Sequence, residues 1–378
     1  LRLAVSRLTL SDFRCYSFLR LETDGRPVVL TGANGAGKTN LLEALSFLSP
    51  GRGLRRAKLS DIARHGAGAE AGTAPWAVAA QLDRDDEGPR ELGTGRDAGS
   101  ERRLVRIDGH PARSQSKLSD VLTVLWLTPA MDRLFLEAAT GRRRFLDRLV
   151  LGFDTAHASR ATAYEHAMRE RTRLLREGRF DPSWVALLEQ DMARHGAAIS
   201  VARHRTVERL NAACRQGIGP FPAAVLAVTG AIDQALSEVG EEDLEDWFKG
   251  QLFACRRRDG EAGGATLGPH RSDLLVRHGT KDLPAEQCST GEQKAVLVAI
   301  VLGQARVQAN VKGQAPILLL DEIAAHLDQT RRAALFDELC ALSAQSWMTG
   351  TEETLFAELG SRGQFFRVDD ANVIPVTT

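Results

Sequence analysis

Residues 28–48 constrain the fold more than any other stretch. The apolar run Val28-Val29-Leu30 leads into Gly32-Ala33-Asn34-Gly35-Ala36-Gly37-Lys38-Thr39, and Leu41, Leu42, Leu45 and Leu48 follow at helical spacing. A strand, a glycine-rich loop and a helix in that order bring successive backbone N–H groups and a helix N-terminus onto one anion. The loop has the GxxxxGK[ST] form of a P-loop. Its glycines permit the tight backbone, Lys38 reaches the β- and γ-phosphates, and the Thr39 hydroxyl ligates Mg²⁺. The expectation is an α/β domain that binds ATP and Mg²⁺. The chain contains 34 glycines, so a chance match has to be weighed, and the strand-loop-helix context argues against it.

Three further motifs follow the P-loop. Ile317-Leu318-Leu319-Leu320-Asp321-Glu322 is an apolar strand ending in two carboxylates. Alone it reads equally as a core strand with a solvated acidic turn. Beside a P-loop, Asp321 is expected in the Mg²⁺ shell and Glu322 as the base that polarises the attacking water. Ser289-Thr290-Gly291-Glu292-Gln293 opens a strongly apolar helix. A plain N-cap at Ser289 or Thr290 would explain it. It also resembles the signature motif of ABC-type ATPases, which caps the γ-phosphate held by the opposite subunit. Ala325-His326-Leu327-Asp328 resembles the D-loop of the same family. The order of the four motifs is that of the family. The resemblance implies that Ser289, Gly291, Gln293 and Asp328 join Gly32–Thr39 around ATP in a head-to-tail dimer.

The resemblance narrows further. Leu10-Ser11-Asp12-Phe13-Arg14-Cys15-Tyr16, Gly37-Lys38-Thr39-Asn40-Leu41-Leu42-Glu43-Ala44 and Leu48-Ser49-Pro50-Gly51-Arg52-Gly53-Leu54-Arg55 are similar to landmarks of the RecF family. So are Thr128-Pro129, Gly141-Arg142-Arg143-Arg144-Phe145-Leu146-Asp147 and Gly268-Pro269-His270-Arg271-Ser272-Asp273-Leu274. RecF proteins are relatives of the SMC-type chromosome ATPases. The resemblance implies an ATP-dependent homodimer on DNA, at single-strand/double-strand junctions or linear single strands, with weak DNA-dependent ATPase activity. It implies help in loading RecA at gaps, support of SOS induction, RecR as partner, and RecO and RecA in the same pathway. The chain departs from the family at two points. It reads Ala130-Met131-Asp132 where Glu-Asp is usual, so no Q-loop glutamine is placed. It reads Met348-Thr349-Gly350-Thr351 where a switch histidine would stand, from which slow hydrolysis is expected.

Two other function classes are weighed. An ABC-transporter ATPase subunit would be shorter and would carry the switch histidine, whereas here Lys38 and Ser289 stand about 250 positions apart. A non-catalytic ATP-gated clamp would not need Glu322. The longest apolar stretch, Ala295–Leu302, is too short to span a membrane. Five scattered cysteines without a CxxC pair fit a reducing cytoplasm and give no support to a zinc site.

The 49 basic and 49 acidic side chains balance, which argues against a DNA-coating protein and leaves local patches open. Arg55, Arg56 and Arg143 are nominated for DNA because their clusters accompany family landmarks. With 42 arginines in the chain, pairing with nearby carboxylates is the competing explanation for each.

Three segments are expected: an ATPase head in 1–129 and 263–378, and a mainly helical lobe inserted at 130–262. Within them, 83–100 reads as an exposed loop and 256–264 as a charged, glycine-rich linker. Residues 182–216 read as one helix about 50 Å long at 1.5 Å per residue, with a break near Gly196.

Overall fold

The computed structural model describes residues 3–64, 74–85, 87–178 and 181–376. In chain order the elements open with β1 (Leu3–Phe13), β2 (Tyr16–Glu22), β3 (Val28–Thr31), α1 (Lys38–Ser46) and β4 (Trp76–Arg84). Next come β5 (Glu87–Arg96), β6 (Leu104–Ile107), β7 (His110–Pro111) and β8 (Val124–Leu127). A second group holds α2 (Ala139–Leu151), α3 (His157–Glu177), α4 (Pro182–Arg215), β9 (Ala224–Thr229), α5 (Ala231–Ala254), α6 (Arg256–Ala262), β10 (Asp273–His278) and β11 (Leu283–Pro284). The chain ends with α7 (Thr290–Lys312), β12 (Ile317–Leu320), α8 (Gln329–Ala341), β13 (Ser346–Gly350), β14 (Gln364–Asp369) and β15 (Asn372–Val376).

The first unit comprises Leu1–Asp132, Gln216–Ala223 and Ser289–Thr378. It holds an antiparallel sheet in the order β2-β1-β4-β5-β6-β7 and a second sheet in the order β15-β14-β3-β13-β12-β8. In the second sheet β14, β3, β13, β12 and β8 run parallel, and β15 is an antiparallel edge. All residues of β3, β12 and β13 are buried. This is why Val28–Leu30 and Ile317–Leu320 read as unbroken apolar runs and not as alternating ones. Leu41, Leu42 and Leu45 of α1 share one core with Leu8, Leu10 and Val78 of the first sheet and Val28, Leu30, Leu319 and Trp347 of the second.

Within 83–100, residues 87–96 are not the loop expected from their composition. β5 pairs Leu92 with Ala80 on β4 and with Ile107 on β6. A Cβ on Gly95 would stand 2.4 Å from the Trp76 carbonyl oxygen, so the glycine marks a close backbone approach within a strand.

The second unit comprises Arg133–Arg215 and Ala224–Cys288. The expected lobe boundary at 262 is therefore too early, and residues 263–288 belong to the lobe. The reason is strand pairing: β10 pairs antiparallel with β9 in a three-stranded sheet, with Leu274 opposite Val228 and Val276 opposite Leu226. The expected break in α4 is also absent. Gly196 lies mid-helix, where a Cβ would come within 2.5 Å of the Phe248 ring, so it is a packing glycine.

Residues 256–262 form α6 and not a linker. Its buried Asp259 accepts a hydrogen bond from Arg171 (2.7 Å), which also donates to Glu189 (3.0 Å) and to the Leu252 carbonyl (2.7 Å). A charged segment that looked solvated is folded inward by one buried guanidinium.

Candidate nucleotide site

In an open α/β sheet, ligands gather beyond the carboxyl ends of parallel strands. Strand register aligns those ends here: Thr31 of β3 pairs with Gly350 of β13, Met348 with Leu320 of β12, and Leu320 with Leu127 of β8. The loop Gly32–Gly37 leaves β3 at this edge. Ala33, Asn34 and Gly35 are exposed, whereas Gly37 and Lys38 are buried. Gly37 sits at φ 114°, and a Cβ there would meet the Tyr16 hydroxyl oxygen at 2.7 Å and the Cys15 sulfur at 2.9 Å. No other residue type fits that place without displacing both. The Tyr16 hydroxyl donates to the Gly37 carbonyl at 3.2 Å. The Ala36 carbonyl accepts from the Ala371 N–H at 3.2 Å.

Lys38 Nζ donates to the Gly32 and Ala33 carbonyls, at 2.6 and 2.8 Å. These acceptors are neutral. Burial lowers the Lys38 pKa below the ordinary lysine value, and Glu322 and Asp321 work against that shift. The Thr39 hydroxyl donates to Asp321 Oδ1 at 3.0 Å, with Oδ2 at 3.3 Å. Thr349 completes the cluster from β13. Its hydroxyl donates to Asp321 Oδ1 at 2.7 Å and accepts from the Glu322 N–H at 2.9 Å. Glu322 adopts φ 51°, a left-handed conformation that costs a non-glycine residue about 1–3 kcal/mol and tends to cluster at working sites. The residues suit a phosphate with a hard divalent cation. The loop offers backbone donors, the ammonium has no bonded carboxylate among the described residues, and a hydroxyl and a carboxylate stand together as the oxygen donors such a cation takes.

No Q-loop glutamine was placed after Thr128-Pro129, and the structure shows an ion pair there. Asp132 follows β8, and its Oδ2 lies 3.4 Å from Nζ of the buried Lys294 on α7. Both line a small cavity with Leu127, Thr128, Asp321 and Ile323. Composition gave no sign of this pair, of Thr349, or of Tyr16 under the loop.

The signature residues separate by exposure. Ser289 caps α7 in a reciprocal capping box with Glu292, whose Oε2 accepts from the Ser289 N–H at 2.9 Å. Ser289 and Gly291 are exposed, and nothing lies within 4 Å of a Cβ on Gly291. Gln293 is only 3% exposed. Its side chain is buried in the single chain, unlike those of Ser289 and Thr290. Asp328 is exposed and caps α8 by accepting from the Arg331 N–H at 2.8 Å.

The arginines nominated for DNA are largely engaged at home. Arg55 donates to Asn40 Oδ1 (2.7 Å) and to the buried Glu43 (3.1 Å), which Arg14 holds from the other side at 2.6 and 2.8 Å. The competing explanation, a local carboxylate, is the one the geometry favours for Arg55. Arg143 belongs to the second unit and donates to the Ser272 carbonyl at 2.7 Å and to Thr140 at 3.1 Å. Arg56 is exposed, with φ 56°. The unassigned His270 is structural: its Nδ1 accepts from the Tyr164 hydroxyl at 2.7 Å, and its Nε2 donates to the Ala265 carbonyl at 2.9 Å. Burial lowers its pKa, in keeping with a neutral ring.

Comparison with known proteins decides the family. A profile for the "RecF/RecN/SMC N terminal domain" matches residues 4–371. The DNA replication and repair protein RecF of Rhizobium etli is 52% identical over 376 residues, covering 98% of this chain and 99% of its own. The chain belongs to the RecF family. RecF of Allorhizobium ampelinum is 53% identical over 373 residues, covering 98% of each chain. Among solved structures, "the recombination mediator protein RecF-ATPrS in RecFOR pathway" superposes with a TM-score of 0.84 at 20% identity, over 100% of this chain and 99% of that one. An SMC head bound to the C-winged helix domain of ScpA gives 0.58 at 17% identity, over 99% and 97%. The fold is that of the RecF and SMC heads, an ABC-type P-loop ATPase. Among the described residues of this RecF-family chain, no helix is long and apolar enough to cross a membrane.

Proposed function

We propose that this chain is an ATP-gated DNA-repair protein of the RecF kind: it binds ATP with Mg²⁺, pairs head to tail with a second copy, and turns ATP over slowly on DNA. One observation carries the reading. The Thr39 hydroxyl, in the first turn of α1, and the Asp321 carboxylate, just beyond β12, stand 3.0 Å apart. The P-loop amides and Lys38 hold the β- and γ-phosphates, and Thr39 and Asp321 hold the metal. Mg²⁺ supplies charge neutralisation at the phosphate oxygens. Glu322 orients water and accepts its proton, and the bond from its N–H to Thr349 sets where its side chain begins. Ser289 and Gly291 of a second copy close over the γ-phosphate, with Asp328 at the same seam.

The identity of 52% across nearly the whole chain supports the cellular role. That role is action at single-strand/double-strand junctions or linear single strands, with RecR as partner and RecO and RecA in the same pathway. RecA loading at gaps and SOS induction follow from it. The absence of a switch histidine at Thr349 supports slow hydrolysis. The head is formed by both chain ends and the helical lobe is the insertion.

Lys38→Ala tests the reading. It removes the cation that meets the phosphates, so calorimetry with the folded variant should register no ATP binding or a strongly weakened one. Unchanged affinity would sink the assignment of the loop. Binding to gapped DNA, set against binding to a membrane extract, separates the repair reading from a transporter subunit.

A further inference from the structure

We propose that a cleft behind the P-loop helix, walled by Arg52, Lys58, Arg96 and Arg103, seats a phosphate of the DNA backbone. The inference rests on the DNA-binding reading above and gives it a place. The cleft has a volume of about 490 Å³ and lies between residues 51–60, which follow α1, and the antiparallel sheet. Among the described residues, four cations and one carboxylate, Glu101, line it.

Arg103 is the reason the cleft asks for an anion. It is buried, and its guanidinium donates to Thr94 Oγ1 (2.7 Å), Gly51 O (2.7 Å), Gln115 Oε1 (3.2 Å) and Ser49 O (3.3 Å), and to Phe47 O. Every one of these acceptors is neutral. Burial pulls its pKa down to about 10, so it stays charged at neutral pH. A buried charge satisfied in its hydrogen bonds but not in its charge lowers its free energy when an anion comes near. Arg96 is buried beside it and donates to the Ala74 carbonyl at 3.0 Å.

Arg52 and Lys58 sit at the mouth and are exposed. Among the described residues neither has an ion-pair or side-chain hydrogen-bond partner. This distinguishes them from Arg55, whose charge is spent on Glu43. Two fixed cations inside and two adaptable ones at the rim make a polyanion seat, and backbone phosphates are the part of DNA such a seat reads. Direct contact with a base edge is not required, so binding there is indifferent to sequence.

The test is the double variant R52A/K58A, which changes two exposed side chains. The probe is a labelled gapped duplex with ATP, titrated at several salt concentrations. One phosphate lost flattens the log–log salt slope by about 0.9. That corresponds to roughly 8-fold weaker binding at about 0.1 M salt. The loss should be the same on unrelated sequences, calorimetric ATP affinity should be unchanged, and R52K/K58R should restore DNA binding. A double variant with wild-type DNA affinity and slope would overturn the cleft while leaving the DNA reading intact. A wild-type chain that binds ATP but no DNA would overturn that reading and the cleft with it. If the double variant instead loses binding of inorganic phosphate by calorimetry and keeps its DNA slope, the ligand is a free phosphate and the assignment to DNA falls.

Discussion

Thr349→Val isolates the contribution of one oxygen atom to the catalytic edge. Thr349 is fully buried on β13, and its hydroxyl joins Asp321 Oδ1 (2.7 Å) to the Glu322 N–H (2.9 Å). Valine fills nearly the same volume, so no cavity opens and only the two hydrogen bonds are lost. A bond to a charged carboxylate contributes about 1.5–3 kcal/mol, and an orphaned buried N–H costs about 1–3 kcal/mol. Glu322 is only half-buried and water reaches part of the edge, so the lower half of each range applies. The sum is about 3 kcal/mol. For a unit of roughly 150–250 residues, each kcal/mol moves the midpoint by about 2–4 °C. The apparent Tm of the first unit should therefore fall by about 6–12 °C. Turnover should fall by roughly 10-fold or more, because general base catalysis depends on where the Glu322 carboxylate is held. ATP affinity should change little, since Lys38 and the loop amides are untouched. Thr349→Ser keeps the hydroxyl and should retain most of both properties. Thermal unfolding and steady-state turnover read the two effects. A valine variant that melts within about 1 °C of wild type and turns over normally would refute the role given to Thr349.

Glu322→Gln keeps the shape of the side chain and removes its basicity; turnover should drop by about 10²-fold or more with ATP still bound and the dimer prolonged in sedimentation. Normal turnover would remove Glu322 from the role of base. Ser289→Arg should leave calorimetric ATP binding intact and abolish the ATP-dependent doubling of mass, since a bulky cation would fill the seat of the second copy's γ-phosphate. A third expectation concerns acid. Burial pushes the Asp147 carboxyl up, but Arg203 at 2.8 and 3.0 Å and His157 at 2.9 Å outweigh it and hold the group at about 2. Its folded pKa lies below the unfolded value of about 4. The stabilisation is therefore complete above about pH 4 and lost as pH falls through about 2. Asp147→Asn should flatten the acid limb of the stability profile, and an unchanged limb would refute the assignment.

The nucleotide seat was legible in the chain itself because its parts are local. Eight consecutive residues, Gly32–Thr39, need only a strand before them and a helix after them to place donors around a phosphate. The apolar run Ile317–Leu320 could only be a buried strand, which put Asp321 and Glu322 at its end. Motif order then named the family, and the landmarks at 10–16, 141–147 and 268–274 narrowed it. What composition misread were segments whose state is set by a distant partner. Residues 87–96 look like a loop, yet they are a strand because two neighbours supply hydrogen bonds and Trp76 requires the glycine at 95. Residues 256–262 look solvated, yet Arg171, 88 positions away from Asp259, draws that carboxylate inside. The same holds at the site. Arg55 resembles a free phosphate ligand until Glu43 is seen to hold it. Thr349 carries no signature at all. Its value comes from β13 lying between the P-loop strand and the Asp321 strand, an order that sheet pairing decides and local propensity does not encode. Local chemistry can be read from neighbours in the chain, whereas burial and ion pairing are properties of neighbours in space.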